Sequence, residues 1–446
     1  MKLGSSLQSK LAFTLAALLL TGILFSCQNT SSAVDTAAIE TKSSEESAET
    51  TEISYDPCIP AKDFDGIEFW FYFGDNDFEP SFDVRAEELN GEALNDAIFN
   101  RNKAIEEKYN VTVKWERNEY GAMYNKVAQL VRAGEDAVKV MINNGNYSFS
   151  AAVNGLTQIM NDVPYIDFSK PYWNRQMLKD STVFGKNYFA YSDINIHALG
   201  ATPCVLFNKV VAENYNTGNL YDVVKSGDWT FDYMTNLIKS VTGDLDGDGK
   251  ITQFDMHGFI GNTFVIDCFL SGTGYQTISK NDEDFLELNI VNEKYYDIIA
   301  AIQSICSADN GSFICDRYSG VDREYAPMDA LAEDRALFWI ANFKGVERMR
   351  GMKSEFGILP IPKLDSSQKE YKIHYQANIG GAMSIPITVR DIEMVGMILE
   401  DMSYLSMVNV KPAYVDILLQ GKFLRDNESL EFSRLSLTAI TAITVL

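Results

Sequence analysis

Gly66-Ile67-Glu68-Phe69-Trp70-Phe71-Tyr72-Phe73-Gly74 opens the folded part of this 446-residue chain. An unbroken aromatic run between two glycines reads as a buried strand. Working outward, Asn95 is placed to cap a helix through Tyr109, with Ile98, Ile105 and Tyr109 on one face. Val111, Val113 and Trp115 alternate as in a second strand. Tyr120 to Ala133 carries Met123, Val127 and Leu130 at helical spacing and stops at Gly134. Val138 to Ile142 reads as a third strand. Strand, helix, strand, helix, strand implies crossover units and a largely parallel sheet, hence an α/β fold. Such a sheet binds ligands at the carboxyl ends of its strands. Here those ends are Gly74-Asp75-Asn76 and Asn143-Asn144-Gly145-Asn146-Tyr147. The same residue types also make plain turns, and the sequence leaves both readings open.

Further along, Pro164 to Trp173 is aromatic and irregular. Asn187 to Tyr191 and Pro203 to Phe207 read as strands, and Asn208 starts a helix. After Gly227-Asp228-Trp229, Thr230 can cap a helix through Val241. Tyr295 to Ile305 is helical. Leu337 to Ala341, Ile358 to Pro362 and Gly380 to Pro386 are extended, and Asp391 to Met407 is a long apolar helix. Leu435 to Leu446, repetitive and low in charge, reads either as a last strand or as an altered end.

Asp244 to Asp255 reads D-L-D-G-D-G-K-I-T-Q-F-D. Carboxylates at alternate positions (Asp244, Asp246, Asp248), glycine at the sixth, a main-chain carbonyl from Lys250 at the seventh and Asp255 at the twelfth form a calcium-loop pattern. Carboxylates so close repel one another unless a hard cation neutralises them. A solvated acidic turn is the alternative. The calcium expected here is structural.

The formal charge is −24, which disfavours nucleic acid and anionic headgroups as partners. Residues 1–26 have the form of a signal peptide: Lys2 and Lys10 precede an apolar run from Leu11 to Phe25 that is short for a bilayer span. Leu24-Phe25-Ser26-Cys27 resembles a bacterial lipobox, with Cys27 as the lipidated residue. Residues 27–60, rich in Ser, Thr, Ala and Glu, form a disordered tether. With Cys27 lipidated, five cysteines remain, an odd number that argues against a full disulfide framework. There is no C-x-x-C pair, and His197, His257 and His374 are scattered, so zinc and haem readings are weak.

Several segments in order resemble the extracellular solute-binding proteins of ABC importers, of the maltose-binding type and lipid-anchored. Ala201 to Lys209 is similar to the family's crossing segment, which ends in Asn-Lys. Trp229-Thr230-Phe231-Asp232 is similar to its Trp-Thr-aromatic-Asp helix start, and His257-Gly258-Phe259 stands where relatives carry Tyr-Gly-Phe. Arg335 to Trp339 and Phe356 to Pro360 resemble the return to the first lobe. The resemblance implies a two-lobed, periplasmic-binding-protein-like fold (type II), each lobe a mixed, mostly parallel sheet flanked by helices, with a hinge. Lobe 1 would comprise 61–200 and 335–400, and lobe 2 would comprise 201–334 and 401–446. It implies capture of a mono- or oligosaccharide, delivery to a permease, a monomer, no catalysis, and a place on the outer face of the cell membrane with lipid as the only membrane contact. Sugars are held by aromatic faces and by Asp, Asn and Arg at their hydroxyls. By matching segments, the ligand residues implied are Asp75, Asn144, Tyr147, Trp339, Phe343 and Asn378. Two rival readings are a secreted polysaccharide-degrading enzyme and a calcium-dependent adhesion protein. The first lacks a nucleophile elbow or H-E-x-x-H motif, and the second lacks another calcium loop.

Overall fold

The computed structural model describes residues 54–76, 81, 83–281, 283–376, 381–419, 426–438 and 440–444. The expected signal segment, Cys27, most of the tether and Asn378 lie outside the described residues. Strands run in the order β1 (Ile67–Asp75), β2 (Val111–Glu119), β3 (Val140–Asn144), β4 (Pro203–Asn208), β5 (His257–Gly261), β6 (Ile278–Lys280) and β7 (Leu286–Leu288). They continue with β8 (Ser312–Ile314), β9 (Ala336–Asn342), β10 (Phe356–Leu359), β11 (Ile373–Gln376), β12 (Gly381–Ser384) and β13 (Ile440–Thr444).

The first sheet has the order β12-β3-β1-β2. β1 pairs in parallel with β2 from Ile67 opposite Val111 to Asp75 opposite Glu119, and in parallel with β3. The aromatic run of β1 shows no polar alternation because both faces are covered. Phe69, Phe71 and Phe73 pack with Ile105 and Tyr109 of the Ala93–Tyr109 helix, while Trp70 and Tyr72 pack with Met123 and Val127 of the Tyr120–Arg132 helix.

The second sheet is mixed, with the order β10-β4-β9-β5-β8. β5 runs parallel to β8 and β9, whereas β4 is antiparallel to both β9 and β10. Its core gathers Trp229, Phe259, Phe269 and Phe338. Trp229 Nε1 donates to the Pro360 carbonyl at 2.8 Å, and Thr230 accepts from the Tyr233 amide as the cap of the Phe231–Val241 helix. Neither sheet closes into a barrel.

These pairings correct the expected lobe boundaries. Leu206 of β4 stands opposite Trp339 on one side and Ile358 on the other, so β9 and β10 belong to the second sheet, not to the first lobe. Both edges of the crossing strand are filled by them, and the chain rejoins the first sheet only at β12. The Ile392–Leu405 helix packs into the first-sheet core as far as Met402, past the expected division at 400. The Asn427–Thr438 helix packs on the second sheet, where Phe432 stacks on Tyr221 and Ser429 Oγ accepts from the Ile358 amide. Residues 187–191 form no strand. Ala190 makes only an isolated bridge to Met383. The last residues do form a strand, β13, parallel to β11.

The irregular aromatic stretch is held by one buried carboxylate. Glu400 accepts from Tyr172 Oη (2.6 Å), Trp173 Nε1 (2.9 Å) and the Asp167 amide (3.2 Å). Cys306 and Cys315 are both buried free thiols. Among the described residues no helix is long and apolar enough to cross a membrane.

Candidate functional site

The carboxyl ends of β1 and β3 meet side by side. A side chain at Gly74 would collide with the Asn143 amide, 2.5 Å from where its Cβ would stand, so glycine lets Asn143 lie across the strand end. Asn143 Nδ2 donates to the Tyr120 carbonyl at 3.0 Å. Asn144 caps the Gly145–Val153 helix through the Tyr147 amide, and the Tyr147 ring packs on Tyr124 at 5.4 Å. Asp75, 1% exposed, accepts from the Ser81 amide at 2.8 Å and from Arg117, with Arg85 at 3.7 Å. Burial raises its pKa, and the Ser81 and Arg117 bonds offset that only in part.

A polar seam continues inward to the chain crossing. Asp83 is wholly buried and accepts from the His197 amide at 2.7 Å, at the start of the Ile196–Gly200 helix that leads into β4. Arg101 donates to the Asp83 carbonyl (2.7 Å) and to Ser406 Oγ (2.9 Å). Lys344, which follows β9, meets His197 Nδ1. Burial, then the Lys344 charge, holds the imidazole neutral, so Nδ1 accepts. Burial pushes the Asp83 carboxyl up to about 6, against the His197 amide and the Lys344 and Arg101 charges. Three chain segments therefore converge here: the loop after β1, the crossing into the second sheet, and the segment that follows β9.

Buried polar atoms of this seam that lack a hydrogen-bond partner among the described residues include Ser81 Oγ, Asp83 Oδ2 and Asn195 Nδ2. A Cβ placed on Gly381 would stand 2.7 Å from Ile142 Cγ2 and 3.7 Å from Asn195 Nδ2 and Asp83 Oδ2, so β12 packs closely against this seam. A buried polar atom left without a partner costs about 1–3 kcal/mol.

The acidic loop lies elsewhere, between the Phe231–Val241 helix and β5. Asp244, Asp246 and Asp255 bring carboxylate oxygens within 4.8 Å of one another, and Asp248 stands outside that group. Asp244 accepts from the Gly247 and Gly249 amides at 2.7 and 2.8 Å, and these bonds hold its pKa low. Asp255 accepts from the Leu245 and Thr252 amides, which outweigh the effect of its burial. Ionised carboxylates held this close suit a hard cation.

No protein-family model matches the sequence, and a search of curated proteins finds no match. Solved structures do match. The ABC substrate-binding protein Lmo0181 from Listeria monocytogenes, solved with cycloalternan, is 13% identical with a TM-score of 0.53, over 86% of this chain and 89% of that one. The maltose/maltodextrin-binding domain MalE from Bdellovibrio bacteriovorus, bound to maltotriose, is 14% identical with a TM-score of 0.52, over 84% and 88%. The GacH receptor of Streptomyces glaucescens, solved unliganded and with acarbose, is 11% identical with a TM-score of 0.54, over 84% and 87%.

The fold is that of the ABC substrate-binding proteins.

Within this substrate-binding fold, the sequence-predicted residues separate into two groups. Asp75, Asn144 and Tyr147 gather at the strand ends of the first sheet. Trp339 and Phe343, expected as stacking faces, are 8% and 1% exposed and sit in an apolar cluster with Leu206 and Phe356. Asp75 and Asn144, at the strand ends, are as little exposed, at 1% and 7%. Asp83, Asn195, His197 and Lys344 were not among the expected ligand residues, and Asn143 stood only within the strand-end stretch Asn143 to Tyr147. Only Asn143 carried a local signal, its place at the end of a strand.

Proposed function

We propose that this chain is an extracellular solute-binding protein that captures a mono- or oligosaccharide between its lobes and delivers it to the permease of an ABC importer, without turnover. The observation that carries this reading is the two-lobed fold, shared over 84–86% of the chain with proteins solved with cycloalternan, maltotriose and acarbose. The seam from Asp75 to Lys344 supports it, since paired donors and acceptors on a rigid scaffold suit a polyhydroxylated ligand. We further propose that Cys27 carries the lipid, that this lipid is the only membrane contact, and that the protein works as a monomer on the outer face. Calcium in the Asp244–Asp255 loop then serves as a staple within the second lobe.

Calorimetric titration of the mature protein with a panel of oligosaccharides tests the reading, with each mixture checked for products. Saturable binding with the saccharide intact is expected. Release of shortened saccharides would overturn it in favour of a hydrolase.

A further inference from the structure

The β6–β7 hairpin stands out from the second lobe, every residue of β7 exposed. Its base is anchored there: the Asn289 amide bonds to the Thr277 carbonyl, and Tyr275 packs on the second-sheet core. Its tip instead touches the first lobe at the turn after the Arg175–Ser181 helix. That helix belongs to the first lobe, since Leu178 lies in its core and Met177 packs with Ala382 of β12.

Three kinds of contact join tip and turn. The Phe184 and Phe285 rings meet edge to face at 5.2 Å. The Gly185 amide donates to Asp284 Oδ2 at 3.2 Å. Lys280 donates to the Lys179 carbonyl at 2.9 Å and to the Thr182 carbonyl, two acceptors left open where the helix ends. Lys280 also pairs with Asp284 at 3.4 Å, which ties the cation to the same tip.

The turn itself argues that the contact is built. Val183 and Lys186 bond to each other at 2.9 and 3.0 Å, so Phe184 and Gly185 are the two central residues of a tight hairpin turn. Both have positive φ, 50° and 73°. The first of those positions favours Asn, Asp or Gly, and Phe there is strained. Its ring is 58% exposed, so core packing does not explain it. Asp284, on the opposing tip, is also a non-glycine at positive φ (65°). Such strain persists where surrounding contacts over-determine it.

We propose that the β6–β7 hairpin is an interlobe latch: Lys280, Asp284 and Phe285 grip the turn at Phe184 and Gly185 and set how readily the lobes separate. This rests on the hinge-bending reading of the proposed function, but its test needs no sugar. Spin labels at Val153→Cys in the first lobe and Lys239→Cys in the second, with Cys27 and Cys58 changed to Ser, report the interlobe distance in solute-free protein. The double variant Phe184→Ala/Lys280→Ala will raise the ratio of long to short distances about three- to tenfold, the range set by one exposed aromatic pair and its hydrogen bonds. Asp284→Ala, which removes a single carboxylate, will shift the ratio the same way by less. Distance distributions that superimpose on the parent's for both variants would overturn the latch. A protein that shows the latch yet binds no saccharide would leave it standing and sink the sugar reading alone.

Discussion

Asp83 places a carboxylate at the junction of three chain segments, and its environment predicts how stability follows pH. Its ordinary value is 3.8, and burial pushes it up to about 6 in the folded protein. Between those values the folded state binds more proton than the unfolded state, so this group's contribution falls as pH rises from about 4 to about 6. Asp83→Asn removes the effect and keeps an acceptor for the His197 amide. Denaturant unfolding across that window will show the variant gaining on the parent with rising pH, by about 2–3 kcal/mol in all. Parallel stability curves would show that Asp83 does not titrate there. Glu400 gives a second prediction at this scale. Glu400→Ala leaves Tyr172, Trp173 and the Asp167 amide without their acceptor and will cost about 3 kcal/mol. Glu400→Gln, which keeps an acceptor oxygen, will cost less. Equal losses in the two variants would place the effect in packing instead.

At the scale of elements, β5 and the Phe231–Val241 helix approach at Gly258. A Cβ there would lie 2.2 Å from the Ile238 carbonyl oxygen and 2.4 Å from its Cα, both backbone atoms. Gly258→Ala will therefore destabilise by about 1–3 kcal/mol, read as a lower unfolding midpoint in denaturant. A neutral result would mean that helix and strand can move apart. The acidic loop is the second element with a consequence. Calcium will raise the melting temperature, and Asp246→Ala will abolish that rise. Asp248→Ala will reduce it less, because Asp248 stands outside the converging carboxylates. Identical melting with calcium and with chelator would exclude an occupied loop, and lost sugar affinity in folded Asp246→Ala protein would couple the ion to solute binding.

For the whole molecule, the chain passes from the first sheet to the second at β4, rejoins the first at β12, and packs its Asn427–Thr438 helix on the second. Few covalent connections between two packed cores permit hinge bending. A saturating saccharide will reduce the radius of gyration in small-angle scattering. An unchanged radius in a saturated protein would mean that binding and lobe closure are separate events. The latch predicts an effect on interlobe distance alone, and the sugar reading an effect on the radius of the saturated protein.

Much of the first lobe was legible along the chain. The β1 run, the Ala93–Tyr109 helix and the Thr230 cap depend on neighbouring residues, and local spacing and side-chain type decide them. The calcium-loop pattern was legible for the same reason. The places of Asp75 and Asn144 at strand ends, with Tyr147 just beyond, were legible because a parallel sheet ends its strands in polar loops. An aromatic in a core and one on a binding face look alike in one dimension, so the apolar cluster that holds Trp339 and Phe343 was decided by the fold. The places of β9 and β10 beside β4, the seam through Asp83, Asn195, His197 and Lys344, and the grip of Lys280 on a turn nearly a hundred residues away were decided only by tertiary structure. Each depends on segments remote in sequence meeting in space. The local chain carries no record of which buried charge will find which partner.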